Sequence, residues 1–456
     1  MTRIVQQGDG TLEKHHLLWR QNVKPDLQIY NVAEKPLEKP FVDHVRYIRR
    51  DERGSLLYTL SATSSSSTTT TTTTASVAVY GLSTEGYRIA SSIAINGSKV
   101  SLIDESVRMA ILLKPDIART YPNVSSLMED EPLLDLEPID IAISNASYVY
   151  FAPKIRKVGP DVKSDVMTKF KDAIKALKRG ASLIYMLPTG VGGNNENIAL
   201  IEHMTGMTVE KDVSYYYLPM SAIATASSET LIGSVKSKHE NHISKMLYDP
   251  DTRRKLKFVD VNSAELVHVI KTLSHYSGMA SILEICKKAT DNNTLSELMR
   301  GTFADIYIDD VTSGLYDLRI IGSSLDGTGP LMYLVNGSIK GVDGYVKFLI
   351  DQIRATLKKR DLKASRTKVA IAWTLDPHEM RGDRIELLSS LETKVKDYIS
   401  DVERHQGQAF DLYHTDKTTI VVACSKTDFE KVMSKNMANQ EFIVIKANPL
   451  CETVQE

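Results

Sequence analysis

The sequence predicts an α/β fold: an open, mostly parallel sheet in the first half, a long central helix, and a smaller α/β domain at the end. Three observations carry this. From Val77 to about Met220, short apolar runs alternate with amphipathic stretches, the pattern of a parallel sheet covered on both faces. Ala264 to Lys288 has a long apolar face (Leu266, Val267, Ile270, Leu273, Met279, Ile282, Leu283), more than a surface helix needs, and is expected to join two domains or two subunits. The alternation then resumes at Lys368-Val369-Ala370-Ile371-Ala372-Trp373 and runs through a helix (Ile385 to Ile399) to a strand (Thr418 to Ala423).

The elements fall into five segments. Residues 1–60 form a charged appendage, in which Phe41 to Leu60 is the part expected to order and dock, through Val42, Val45, Ile48 and Leu56 to Leu60. Residues 61–76 are almost entirely Ser and Thr and cannot bury enough apolar area to offset their ordering entropy, so a flexible tether is expected. The first α/β domain spans 77–220, a central helical region 221–365 and the second α/β domain 366–456. At 456 residues, about two or three cores of ordinary size are expected.

Composition narrows the class. A hydrophobic content of 42%, a charged content of 25% and a formal net charge of -1 describe a globular chain with no electrostatic pull toward nucleic acid or an anionic membrane. The 3 cysteines are too few and too scattered for a disulfide framework or a zinc site, so a reducing compartment is the default. The stretch Met1 to Asp26 lacks the apolar core of a signal peptide, and no apolar run approaches the ~20 residues that cross a bilayer. A cytoplasmic protein is expected, with no metal. His15-His16 are adjacent rather than at helical ligand spacing and read as solvated.

The first crossover is the most specific motif. Val77-Ala78-Val79-Tyr80 leads to the turn Gly81-Leu82-Ser83-Thr84-Glu85-Gly86, then a helix (Tyr87 to Ile95), the turn Asn96-Gly97, and a second strand from Lys99 to Ile103 that ends at Asp104. This order places the pyrophosphate of a dinucleotide on a helix N-terminus, where free N–H groups and the helix dipole favour anions. Asp104 suits the two hydroxyls of an adenosine ribose and repels a 2′-phosphate, so NAD is the expected cofactor, held by Gly81, Ser83, Gly86 and Asp104. Ser83 departs from the fingerprint, standing where a glycine lets the backbone approach the phosphates. Ile139 to Ile143 reads as a further strand, with Asn145 in the polar loop Ser144 to Ser147 at its carboxyl end. Val162 to Leu177 reads as a helix. Ser182 to Leu187 reads as the next strand, followed by Pro188-Thr189-Gly190-Val191-Gly192-Gly193-Asn194-Asn195. Ligands in such sheets sit at strand carboxyl ends, so these loops and the first turn should converge.

Taken in order, these blocks resemble the UDP-glucose/GDP-mannose dehydrogenase family, from Val77 to the C-terminus. The glycine turn at Gly81, Ser144-Asn145-Ala146, Pro188-Thr189-Gly190, Leu218-Pro219-Met220, Leu231-Ile232-Gly233, Ala264-Glu265-Leu266-Val267, Glu284-Ile285, and Val369 to Trp373 with Arg381 beyond carry the resemblance. It implies a Rossmann-type NAD domain, a central dimerisation helix, a smaller Rossmann-like C-terminal domain, a homodimer and a nucleotide-sugar substrate. It also implies candidate reactive residues Thr189, Glu265, His268 and Lys271, with Asn145 beside the cofactor and Arg381 facing substrate.

The departures bear on the reaction. Family members oxidise a sugar alcohol to a carboxylate in two NAD-dependent steps through a cysteine in a Gly-Phe-Gly-Gly-Ser-Cys-type loop. The corresponding stretch is read here as Ile321 to Pro330, which has no cysteine, and a hydroxyl is both a weaker nucleophile and a poorer leaving group than a thiolate. The family's lysine and asparagine fall at His268 and Thr272, and its Phe-Lys-Pro motif appears as Leu375-Asp376-Pro377, with the charge reversed. Single-step hydride transfer, with His268 or Lys271 as the base, is therefore one expectation. The alternative is a non-catalytic homologue serving as a nucleotide-binding or assembly module.

Overall fold

The computed structural model describes residues 75–130, 134–156, 161–220, 229–235, 255–289, 306–325, 329–406, 417–435 and 442–454, a few residues near 295, and four short strands closer to the N-terminus. The chain divides into two units, Met1–Thr73 and Thr74–Glu456. In the first, β1 (Ile4–Gln6) pairs antiparallel with β2 (Leu12–Lys14), and β3 (Tyr47–Arg50) with β4 (Leu56–Thr59). The expected docking of Phe41 to Leu60, the tether up to Thr74 and His15-His16 lie outside the described residues.

The second unit opens with β5 (Ser76–Tyr80), whose Val77 to Tyr80 are all buried, as a central strand covered on both faces requires. It leads into α1 (Thr84–Ile95) and β6 (Lys99–Asp104). Next come β7 (Met109–Leu113), β8 (Leu136–Pro138), β9 (Tyr148–Phe151), β10 (Ser182–Tyr185), β11 (Ser214–Tyr217), β12 (Glu229–Ser234) and β13 (Lys255–Asp260). They form one nine-stranded sheet in the order β13-β12-β11-β10-β9-β5-β6-β7-β8. The run from β11 to β6 is parallel, whereas β7 turns back antiparallel to β6, and β12 runs antiparallel to β11. Chain connections diverge on either side of the β5–β9 pair, which puts the natural ligand crevice outside the carboxyl ends of those two strands.

One predicted strand is a helix. Ile139–Asn145 forms α4, after two short helices, α2 (Pro115–Thr120) and α3 (Val124–Glu129), and the strand follows it as β9. Ile139, Ala142 and Ile143 are buried while Asp140, Ile141 and Ser144 are exposed, a helical period rather than a strand's alternation. The expected polar loop consequently lies at the wrong end of the sheet. The Ser76 hydroxyl donates to the Asn145 carbonyl at 2.7 Å, at the amino end of β5, opposite the crevice.

Helix α5 (Asp161–Lys175) and helix α6 (Gly193–Thr205) follow, and then the long α7 (Val261–Cys286) of 26 residues. Beyond it lie α8 (Ile308–Thr312), α9 (Leu315–Ser324) and α10 (Pro330–Lys359). Helix α10 packs closely on α7, where a side chain at Gly341 would sit 2.9 Å from the Ala280 Cβ. The last part is a five-stranded sheet, β15-β14-β16-β17-β18, built from β14 (Thr367–Ala372), β15 (Val402–His405), β16 (Thr418–Ala423), β17 (Phe442–Lys446) and β18 (Thr453–Val454). Helices α11 (Asp383–Lys396) and α12 (Lys426–Lys435) follow β14 and β16.

Two large cores result. One surrounds the nine-stranded sheet, and the other joins Val269, Leu273 and Tyr276 of α7 to Leu318 and Ile321 of α9 and to Val369 and Trp373 of the second sheet. Leu273 is thus interior. The apolar residues α7 leaves exposed are Leu266, Ile270 and Ile285, and α10 exposes Leu331, Tyr333 and Leu334. No helix among the described residues is long and apolar enough to cross a membrane.

Candidate functional site

The first glycine turn is shaped by close backbone packing. Gly81 has φ +128°, and a Cβ there would lie 2.0 Å from the Ala152 carbonyl oxygen, in the loop after β9. Ser83 is fully buried and caps α1, its hydroxyl accepting the Gly86 N–H at 3.0 Å. The serine that replaces a glycine therefore uses part of the helix's anion-receptive end itself.

The rest of that helix end is met by the loop after β14. Thr84 N donates to the His378 carbonyl at 2.9 Å, and the Thr84 hydroxyl donates to Asp376 Oδ2 at 2.5 Å. Met380 N donates to Glu85 Oε2 at 2.7 Å. Across the crevice, Ile155 N donates to the Met380 carbonyl at 2.8 Å, and the Arg156 guanidinium donates to the carbonyls of Pro377 and Glu379 at 2.9 and 2.8 Å. Residues 376–381 thus bridge the ends of β5 and β9. Burial pushes the Glu379 carboxyl up to about 7.

Asp104 ends β6 as predicted, and its Oδ1 accepts from Ser106 N at 2.8 Å and from the Ser106 hydroxyl at 2.5 Å. Its neighbour Glu105, not singled out from the sequence, turns inward. It accepts from Lys154 N at 2.7 Å, and burial raises its carboxyl above the usual range. It lies one residue past β6, in the turn, where strand alternation gives no signal for it.

The second turn, Thr189 to Gly193, encloses Glu265 of α7. That carboxylate is 2% exposed and accepts from Gly192 N at 2.5 Å, Asn194 N at 3.0 Å, Asn194 Nδ2 at 2.6 Å and the Thr189 hydroxyl at 3.1 Å. Expected as a reactive acid, Glu265 is fully engaged as the cap of α6, with Thr189 part of the same knot.

One turn further along α7, His268 and Thr272 are buried, while Lys271 is exposed and takes no part in the cluster. His268 Nε2 lies 3.6 Å from Asp317 Oδ2, and the Arg381 Nε lies 3.0 Å from Asp317 Oδ1. Among the described residues, His268 Nε2, the Thr272 hydroxyl and the Tyr316 hydroxyl have no hydrogen-bond partner. Buried polar groups are nearly always paired, so three such atoms in one region mark a place for water or ligand atoms. The Arg381 guanidinium also donates to the Met220 carbonyl.

A cavity of about 320 Å³ opens beside this cluster, lined among others by Thr84, Arg88, Ser313, Glu379, Arg381 and Arg384. It corrects the placement of the thiol loop. Ile321 is fully buried in the last turns of α9, and Ser324 accepts from Val191 N at 2.9 Å, so the described residues 321–325 belong to a helix end and not to a loop lining the cavity. The stretch that reaches the cavity is the one at Ser313, ahead of α9; at the next residue, Gly314, any side chain would overlap the Tyr276 ring. It also has no cysteine. Cys286, Cys424 and Cys451 are buried elsewhere, and burial raises all three thiols, that of Cys451 to about 12.

No protein-family model matches the chain, and no curated protein matches it. Solved structures do. The chain is similar to a UDP-D-ManNAc dehydrogenase from Pyrococcus horikoshii, at 15% identity and a TM-score of 0.58 over 82% of this chain and 96% of that one. It is similar to a UDP-glucose dehydrogenase from the hyperthermophilic archaeon Pyrobaculum islandicum, at 12% identity and a TM-score of 0.56 over 82% and 94%. A UDP-N-acetyl-mannosamine dehydrogenase from S. aureus matches at 14% identity and a TM-score of 0.51 over 83% and 96%. The chain has the fold of the nucleotide-sugar dehydrogenases.

Proposed function

We propose that this protein is an NAD-dependent oxidoreductase acting on a nucleotide sugar or similar anionic metabolite, limited to one hydride transfer. The observation that supports it most is the buried His268, whose Nε2 makes no hydrogen bond and lies 3.6 Å from Asp317, beside Arg381, which also lines a cavity of mixed arginines and carboxylates. Bound NAD would supply the hydride acceptor, with Gly81, Ser83, Gly86 and Asp104 as its candidate contacts. His268 takes the proton of the substrate hydroxyl as the carbon gives up its hydride, leaving a carbonyl, and Asp317, 3.6 Å from Nε2, stabilises the imidazolium. Arg381 pairs with Asp317 at 3.0 Å, and Arg88, in the cavity wall, meets a substrate phosphate. Without a thiol at Ser313 the aldehyde has no covalent route to a carboxylate.

The test is turnover of UDP- and GDP-sugars with NAD. One NADH per sugar and loss of turnover in His268→Ala support the reading; two NADH per sugar contradict it. A second reading, a non-catalytic module, is favoured by the engagement of the α1 N-terminus by residues 376–380. Absence of turnover with NADH bound would select it.

A homodimer is part of the same proposal. Leu266 and Ile270 are 47% and 62% exposed on α7, on a face a two-fold contact would cover. Leu266→Glu with Ile270→Glu should halve the mass in sedimentation and leave the fold within about 0.5 kcal/mol. A wild-type monomer at high concentration would contradict it.

A further inference from the structure

We propose that the loop Asp376–Met380 is a built-in plug: it closes the crevice formed by the first glycine turn, and a dinucleotide enters only when the loop withdraws. The proposal rests on the reading of that crevice as a dinucleotide site.

The argument begins with donors. A pyrophosphate at the start of α1 needs the free N–H groups and the positive end of the helix. Here Thr84 N serves the His378 carbonyl, the Thr84 hydroxyl serves the Asp376 carboxylate, and Gly86 N serves Ser83. The loop therefore brings its own anion to the position of the ligand's. A pyrophosphate and Asp376 cannot share it, because like charges a few ångströms apart repel. The two are mutually exclusive by charge as well as by space.

The loop also spans the crevice instead of lying beside it. It is held on the β5 side by Thr84 and Glu85 and on the β9 side by Ile155 N and the Arg156 guanidinium. Those strand ends are where the sheet's connections diverge and a dinucleotide would cross.

The hold is nevertheless of a kind that can be exchanged. Its single deep anchor is Met380, which is fully buried in the core of the first sheet. Ahead of it Pro377 is exposed, and Asp376, His378 and Glu379 are only half-buried. Their contacts are hydrogen bonds that water or a ligand's phosphates can replace, unlike apolar packing.

The experiment is an NADH titration of the full-length protein, wild type against Asp376→Ala and Arg156→Ala, joined to amide hydrogen exchange of the loop. The closed loop taxes the apparent affinity by the fraction of molecules in which it is open. Both variants should therefore bind NADH roughly tenfold more tightly than wild type. In wild-type protein, NADH should speed exchange at His378, Glu379 and Met380, whose amides are bonded in the closed loop. Saturable NADH binding that neither variant tightens, with those amides as protected as before, overturns the plug and leaves the dinucleotide reading standing. No binding by any of the three proteins overturns both together.

Discussion

Two helices start at the carboxyl edge of the large sheet, and each receives a carboxylate from far along the chain. At α6 it is Glu265, 2% exposed, engaged with Gly192 N, both Asn194 nitrogens and the Thr189 hydroxyl. At α1 it is Asp376, half-buried on a loop, engaged with the Thr84 hydroxyl and, within its own loop, with His378 N at 2.8 Å. Both use the same electrostatics, a negative group at the positive end of a helix. The difference is in donors and burial. A carboxylate that accepts four hydrogen bonds in a dry interior is a permanent part of the fold, while one with a single long-range donor near solvent can be displaced. The helix end that a ligand would use is the one with the displaceable cap.

The sharpest way to break that contrast is to remove the permanent cap. Glu265→Ala should cost about 4 kcal/mol in chemical denaturation, because several buried donors lose their acceptor at once. Glu265→Gln, which retains one acceptor oxygen, should cost about half as much. A loss under about 1 kcal/mol for Glu265→Ala would mean that water already shares the knot and that the two caps are alike.

A smaller effect separates the pair by pH. Burial raises the Glu379 carboxyl from 4.5 to about 7. A carboxyl whose folded pKa lies above its unfolded one binds its proton more tightly in the folded state. Its contribution favours folding below about 4.5 and fades as pH rises through about 7. Melting curves should therefore show a stability decline across that window, and Glu379→Gln should flatten it by about 2 kcal/mol. An unchanged profile in the variant would show that the loop is already open to solvent. Smallest is Asp376→Ala, expected to cost about 1 kcal/mol as the loss of one exposed-side cap. A cost equal to that of Glu265→Ala would make the α1 cap structural and remove the contrast.

The order of elements was readable because apolar runs and helical periods mark it locally; the strand Thr418–Ala423 was placed to the residue. Ile139 to Ile143 was not, since five mostly apolar residues fit a strand's run as well as a helix turn, and only burial tells them apart. That error carried Asn145 to the opposite edge of the sheet. The region of Glu265 and His268 was legible from the long helix, but their roles were not. Whether an acid reacts or caps depends on donors supplied from Thr189 to Asn194, which sequence spacing does not aim. The thiol stretch slid along the chain for a related reason: the span between α7 and the second sheet fixes no register, and only the cavity shows that Ser313 faces it. Least legible was the loop at Asp376, whose partner Thr84 is 292 residues away.

The central claim, one hydride transfer in a dehydrogenase fold without its thiol, is tested most directly with nucleotide sugars deuterated at the carbon to be oxidised. Incubated with NAD, wild-type protein and Asp376→Ala should both place deuterium on NADH, one per sugar, with the product trapped as a carbonyl. A carboxylate product, or no label on NADH from any sugar even in Asp376→Ala, would contradict it.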